Sequence, residues 1–305
     1  MLFKEMAATM GDAQIALVDD LTVASNILQE VEVFESNQTL AHKYGVVTDV
    51  VGGEPRDLDA VPSTMSFDSD LESVDLQIIG GKIFVSEDKV LAVAGGSLEQ
   101  FINRRFPKIL AATGNSLEYS LVYNVWESAA IAAGNAEGTT KTSGDNCFSV
   151  LAIRFEDDEC GLAINPNATQ ANRLMSLAPL YGGNRCENSA GVTGWMFEMR
   201  TMLAAVVANP AKQVAAIVNI DDTHLPTKKQ MNDMIEKVYP DTGGRTVLIM
   251  SPFLRTALEA AYGESVTRTS SNTKDVGKMI TMWYERKIVT SHKMLKAAEP
   301  FVTLP

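Results

Sequence analysis

The stretch VVGGEPRDLDAVPSTMSFDSDLESVDLQIIGG, Val50 to Gly81, decides how the chain is read. It is dense in carboxylates and offers little to bury. Gly52, Gly53, Pro55 and Pro62 punctuate it as a turn with strand edges on either side. Two strand-like runs flank it, TLAHKYGVVTDVV (39–51) and LESVDLQIIGGKIFVSEDKVLA (71–92). A bridge of about 20 residues is long for a compact domain, where loops beyond about 15 residues are uncommon. An isolated two-stranded hairpin is marginally stable in water. The stretch therefore reads either as a floppy solvated loop or as a projecting hairpin whose missing surface is supplied by a partner.

Upstream, Met1 to about Asn26 is loosely helical through Ile15, Leu17, Val18 and Leu21, and reads as an arm. ILQEVEVFES (27–36) alternates imperfectly, as an edge strand does. Downstream, Leu98, Phe101, Ile102, Ile109, Leu110, Leu117, Leu121 and Val125 recur at helical spacing behind a Ser97 N-cap. Pro107 and Gly114-Asn115 are expected to interrupt this helix, and Gly134 to end it. From Pro107 to Ala133 it would run roughly 40 Å. A Gly/Thr-rich linker, AEGTTKTSGDN, precedes an expected hairpin: CFSVLAIRF, the turn EDDE, then CGLAIN.

GWMFEMRTMLAAVVANPAKQVAAIVNID holds two strand candidates around Asn209-Pro210, the first half being equally compatible with helix. LPTKKQMNDMIEKVY is an amphipathic helix with Pro226 at its start and Met231, Met234, Ile235 and Val238 on one face. RTVLIM reads as a buried strand. SPFLRTALEAAYG reads as a helix capped by Ser251, with Pro252 first and Gly263 as stop. A polar linker, ESVTRTSSNTKDVG, leads to the closing strand RKIVTS.

With 305 residues, 46% of them hydrophobic and 21% charged, the chain suits one large domain or two modest ones and is expected to be soluble. No window approaches the roughly 18 unbroken apolar residues of a membrane helix, and no secretory signal is visible. Cys147, Cys160 and Cys186 form no C-x-x-C pair and read as free thiols in a reducing compartment. A formal charge of −12 disfavours sequence-specific nucleic-acid binding.

Motifs that would carry chemistry are missing. EGTTKTSG lacks phosphate-loop spacing, and DTGGRT precedes a strand, so its glycines read as a turn. There is no G-x-S-x-G and no H-E-x-x-H; His42, His224 and His292 read as solvated or packed. The run Glu156 to Glu159 lacks calcium-loop spacing and reads as a solvated hairpin turn. No catalytic residue, metal or cofactor is expected, and Trp126, Trp195 and Trp283 are expected to pack in cores or at contacts.

Taken in order, ILQEVEVFESN, GGEPRDL, GGKIFVSEDKVLA, EYSLVYNVWESAAIAAGN, FSVLAIRFEDDECGLAINPN, ANPAKQVAAIVNID, LPTKKQMNDMIEKV, VLIMSPFLRTALEA and MWYERKIVTSHKML resemble the tailed-bacteriophage major capsid proteins of the Hong Kong 97-type fold. The resemblance covers most of the chain after about residue 26. It implies an α+β fold with an N-terminal arm (1–25), an extended β-hairpin loop with flanking strands (26–86), a peripheral domain with a long spine helix (87–147), an axial α/β domain (148–279) and a C-terminal return strand (280–305). The hairpin would lie across an adjacent subunit, with Pro55, Arg56, Asp57 and Phe67 as inter-subunit contacts. The implied function is structural, not enzymatic: self-assembly into hexamers and pentamers of an icosahedral virion shell, built in the host cytoplasm. Portal and scaffolding or decoration proteins would be partners, and packaged double-stranded DNA a non-specific neighbour, with no membrane involved. A compartment shell of cellular origin, and less readily an α/β enzyme, are the rival readings.

Overall fold

The computed structural model describes residues 1–56, 61, 63–167, 174–238, 244–270, 279–291, 293–294 and 299–304. It opens on two helices, α1 (Phe3–Met10) and α2 (Asp12–Thr22). Residues 1–25, expected as an arm, lie on the body instead: Phe3, Ala7, Val18 and Leu21 are buried in the main core. Each helix has an apolar face, and laying that face on the body of the chain removes it from water.

The strand expected in ILQEVEVFES is short, β1 (Val33–Glu35), and it does lie at a sheet edge. β2 (Ala41–Val51) and β3 (Ser66–Asp75) form a two-stranded antiparallel sheet of their own. β4 (Gln77–Ser86) follows, and the run expected to continue as strand becomes α3 (Glu87–Ala94). Glu87 and Asp88 stand in its first turn, where carboxylates complement the positive end of a helix.

A single helical rod comes next: α4 (Leu98–Tyr119), a π-helical stretch (Ser120–Glu127) and α5 (Ser128–Ala132). It is about 50 Å long at 1.5 Å per residue. Ser97 Oγ accepts the Gln100 N–H at its start, and Gly134, at a φ of 71°, follows its end. Neither Pro107 nor Gly114-Asn115 interrupts it. Proline removes one backbone hydrogen bond, but Phe101, Phe106, Leu110 and Leu117 keep burying the same face on either side. Gly114 is a packing position: a Cβ there would lie 2.0 Å from Leu21 O, so α2 crosses the rod where the rod has no side chain.

The remaining elements are β5 (Ala136–Gly138), β6 (Phe148–Phe155), β7 (Cys160–Ile164), β8 (Ser176–Pro179), β9 (Cys186–Glu187), β10 (Thr193–Val207), α6 (Pro210–Gln213) and β11 (Val214–Ile220). After them come α7 (Lys228–Lys237), β12 (Arg245–Met250), α8 (Pro252–Ala261), β13 (Val266–Ser270), β14 (Met279–Trp283) and β15 (Arg286–Thr290). They build two larger sheets. One runs β13-β14-β15-β12-β6-β11-β5; the other runs β1-β7-β10-β4, with β8 and β9 also paired to β10.

β6 and β7 do not make the expected hairpin. Only Glu156 and Cys160 pair across the turn, where Asp158 adopts a φ of 63°, and the chain passes from one sheet to the other. Both strands are buried almost throughout, so each needs neighbours on both flanks: β6 lies between β11 and β12, β7 between β1 and β10. The segment 148–279, expected as one axial unit, thus sends β7 to β10 into the other sheet. β10 is strand along its full length, which resolves the helix-or-strand ambiguity of GWMFEMRTMLAAVV. The polar linker after α8 holds β13, which pairs with β14. Pro226 sits one residue before the cap of α7; Thr227 is the N-cap and makes a capping box with Gln230.

Along β6 the two-residue period separates two cores. Val150 and Ala152 pack with Met231, Met234 and Val238 near α7 and with Leu254 and Leu258 of α8. Leu151, Ile153 and Phe155 belong to the main core, which also holds Leu110, Leu117, Leu121, Val122, Trp126 and Ala130 of the rod. The fully buried Trp126 ring meets Phe155 edge-on at 5.9 Å. Replacing Gly114 with alanine is expected to push α2 off the rod and lower stability by about 1–3 kcal/mol; urea denaturation checks this, and an unchanged midpoint would refute the close packing.

Candidate interaction surface

The β2–β3 ribbon is held to the body at its root. His42 is buried, and its Nε2 lies 2.9 Å from the carbonyl oxygen of Asp158 in the turn between β6 and β7. Its ring packs at 5.2 Å from Phe34 and stacks at 6.3 Å on Tyr44. Tyr44 and Val74 close over Phe34, Leu76, Ala163, Ala204 and Val206. Leu76 N–H donates to Leu40 O at 2.8 Å, and Lys43 N–H donates to Asn37 Oδ1 at 2.8 Å, tying both strands where they leave the body. The acidic turn expected only to be solvated therefore has a structural task, and His42 is the packed histidine the sequence allowed.

Beyond the root, among the described residues, β3 has no cover. β3 is exposed from Ser66 through Ser73. Side chains alternate across a strand, so Phe67, Ser69, Leu71 and Ser73 share one face, and Asp68, Asp70, Glu72 and Val74 the other. Phe67 is 64% and Leu71 72% exposed. Near the root, Tyr44 OH donates to Glu72 Oε2 at 3.3 Å; burial, then the Glu72 carboxylate, raises the Tyr44 phenol above its ordinary pKa of 10.0. The tip adds Val61 and Met65, both largely exposed.

Of the residues expected to make contacts, Pro55 and Arg56 are exposed at the start of the tip. Phe67 lies across from Val50 near the far end of β3. Asp57 lies outside the described residues. Leu71 and the acidic face were missed by the sequence reading, although the alternation FDSDLESV carries the signal once β3 is begun at Ser66. Elsewhere, Asp221 Oδ1 accepts the Thr223 and His224 N–H groups and lies 2.8 Å from His224 Nδ1, which explains that histidine as part of a local turn. The three cysteines are free. Among the described residues no group of three or more His, Cys, Asp or Glu could hold a metal ion, and no helix is long and apolar enough to cross a membrane.

His42→Ala removes the ring that seats the ribbon and strands the Asp158 carbonyl. Hydrogen exchange is expected to show protection lost across 41–51 and 66–75 while β6, β11 and β12 keep theirs; equal protection in both strands before and after would refute the anchor.

Comparison with protein-family profiles and with curated protein sequences finds no match to this chain. Solved structures do match. The near-atomic structure of bacteriophage epsilon15 is similar with a TM-score of 0.56 at 11% identity, over 90% of this chain and 87% of that one. The capsid of bacteriophage JBD30 decorated with minor capsid protein trimers is similar with a TM-score of 0.50 at 10% identity, over 90% of this chain and 93% of that one. At this identity the likeness is one of fold: the chain has the Hong Kong 97-type capsid fold that its ordered segments resemble.

Proposed function

We propose that this chain is the major capsid subunit of a tailed bacteriophage, assembling through many copies of itself into an icosahedral shell around double-stranded DNA. The observation that carries the reading is the β2–β3 ribbon. It stands off a subunit of capsid fold with Phe67 and Leu71 bare on one face and an acidic row on the other. A solitary two-stranded ribbon is marginal in water, and a neighbouring copy would supply the surface it lacks. Pro55, Arg56, Asp57 and Phe67 are the proposed contacts, now joined by Leu71. The start of α4 presents Arg104, Arg105 and Lys108 at the surface, a basic strip of the right sign to receive Asp68, Asp70 and Glu72 of another copy.

Individual contacts of this kind are weak, and closure of a symmetric shell multiplies them. The net charge of −12 suits a wall that must not grip its contents, since lysine and arginine contacts to phosphate strengthen as salt falls. Hexamers and pentamers, portal and scaffolding or decoration partners, and assembly in the host cytoplasm belong to the same proposal.

The double substitution Phe67→Ser and Leu71→Ser tests it. Both side chains are exposed in the single subunit, so the unfolding midpoint should change by no more than about 0.5 kcal/mol. The yield of closed particles, read by sedimentation and electron microscopy, should fall at least tenfold. Unchanged yield would refute the ribbon as the contact. Nuclease-protected DNA in particles from infected cells supports the virion, and an enclosed enzyme in its place supports a cellular compartment.

A further inference from the structure

A cleft of about 500 Å³ separates the π-helical stretch and α5 from the last residues of the chain, lined by Tyr119, Tyr123, Glu127, Ile131, Glu299 and Val302. Two carboxyl groups meet at its floor. Glu127 and Glu299 are both almost fully buried, and both lie within hydrogen-bond distance of one hydroxyl, Ser149 Oγ on β6, Glu127 Oε1 at 3.1 Å. Tyr123 OH donates to the other oxygen of Glu299, Oε1, at 2.7 Å.

The proton count is decisive. A serine hydroxyl carries one hydrogen and can donate to only one acceptor at a time. With both carboxyls ionised, one oxygen facing Ser149 would be left without a donor, and two negative charges would sit together out of water. The proton can sit on either acid; with it on Glu127 Oε1, every oxygen facing Ser149 is satisfied. That proton goes to Ser149 Oγ, the Ser149 hydroxyl donates to Glu299 Oε2, and Tyr123 donates to Glu299 Oε1. No lysine, arginine or histidine among the described residues lies within ion-pair distance of either carboxyl. Among the described residues, the titratable groups facing the pair are Tyr119 and Tyr123 from the rod and Cys147 just before β6.

We propose that Glu127 and Glu299 share a single proton through Ser149, and that this proton latches the C-terminal segment to the helical rod. Among the described residues the segment has further ties, and Val302 and Leu304 pack against the main core. Glu299 and Cys147 exchange backbone hydrogen bonds of 2.9 and 3.1 Å, the Asn219 side chain pairs with the Val302 backbone at 2.8 Å in both directions, and Leu304 rests near Gly138. Loss of the shared proton puts like charges across the seam between the rod and Glu299, the point where the segment begins its return.

Burial raises Glu127 above its ordinary value of 4.5; burial, and then the Glu127 charge, push Glu299 up to about 7. Both groups ionise near 4.5 in the unfolded chain, while the folded pair keeps one proton to about pH 7. The folded state therefore binds more protons across that window. The latch is at full strength below about pH 4.5, weakens as pH rises toward about 7, and is released above it.

The amide of Gln reproduces the protonated acid, so Glu127→Gln and Glu299→Gln each fix the latched state. Melting of the purified full chain, wild type against each variant, should give matching Tm values near pH 5. The variants should gain about 5 °C over wild type by pH 8. Hydrogen-exchange protection of the Cys147 and Glu299 amides, corrected for intrinsic rates, should fall more than tenfold in wild type between pH 5 and pH 8 and hold in the variants. A Tm difference constant from pH 5 to pH 8, or variants less stable than wild type at pH 8, would overturn the latch; if one variant fails to fold, the other decides. The outcome is independent of the shell reading, which concerns the ribbon.

Discussion

The fold depends on one face of one helical rod. From Leu110 to Ala130 the rod buries Leu117, Leu121, Val122 and Trp126 in a core shared with β6, β11 and β12 of one sheet and with β7 and β10 of the other. Among the described residues neither sheet continues into the other by strand pairing, and this apolar seam joins them. Each fully buried large side chain contributes roughly 1.5–3 kcal/mol by leaving water. Summed along the seam, that burial exceeds the cost of a proline in α4 and of eight residues in π geometry. The π stretch widens the helix where Tyr123, Trp126 and Glu127 must serve different neighbours: the cleft, the Phe155 edge and Ser149.

A four-residue acidic turn sits at the junction of these parts. Between β6 and β7 the chain leaves one sheet and enters the other, and the carbonyl of Asp158 in that turn receives His42 at the ribbon's root. Ribbon and both sheets are thereby referred to the same few residues. The ribbon itself is firmly placed only where it touches them. Farther out, among the described residues, its two strands pair with each other, and the side chains of β3 divide into an apolar and an acidic face exposed from Ser66 through Ser73.

The C-terminal segment adds polar groups to the apolar contact that Val302 and Leu304 make with the main core. Asn219, itself at a φ of 60°, pairs with Val302 as a strand neighbour would, and two buried acids close the seam through Ser149. Buried hydrogen bonds to ionisable groups are sensitive to proton number in a way that aliphatic packing is not. The subunit thus combines a seam insensitive to pH at its centre with a polar one at its edge.

The sequence by itself determined the elements whose apolar pattern is local. The spine of the rod, α7 with its Met231 and Met234 face, α8 behind Ser251 and Pro252, the buried strand RTVLIM and the exposed hairpin after Gly45 were all legible, because spacing along the chain reports which face is buried. Of the proposed contact residues, Phe67 was implied by the family resemblance and Leu71 was not, because the alternation that puts the two on one face shows only once the strand is begun at Ser66. Only the tertiary structure decided that β6 and β7 part, that Gly114 marks a helix crossing instead of a break, that residues 1–25 fold onto the body, and that Glu127 meets Glu299 across 172 positions of sequence. Each of these turns on which distant surface lies opposite a residue, and periodicity records that a face is covered without recording by what.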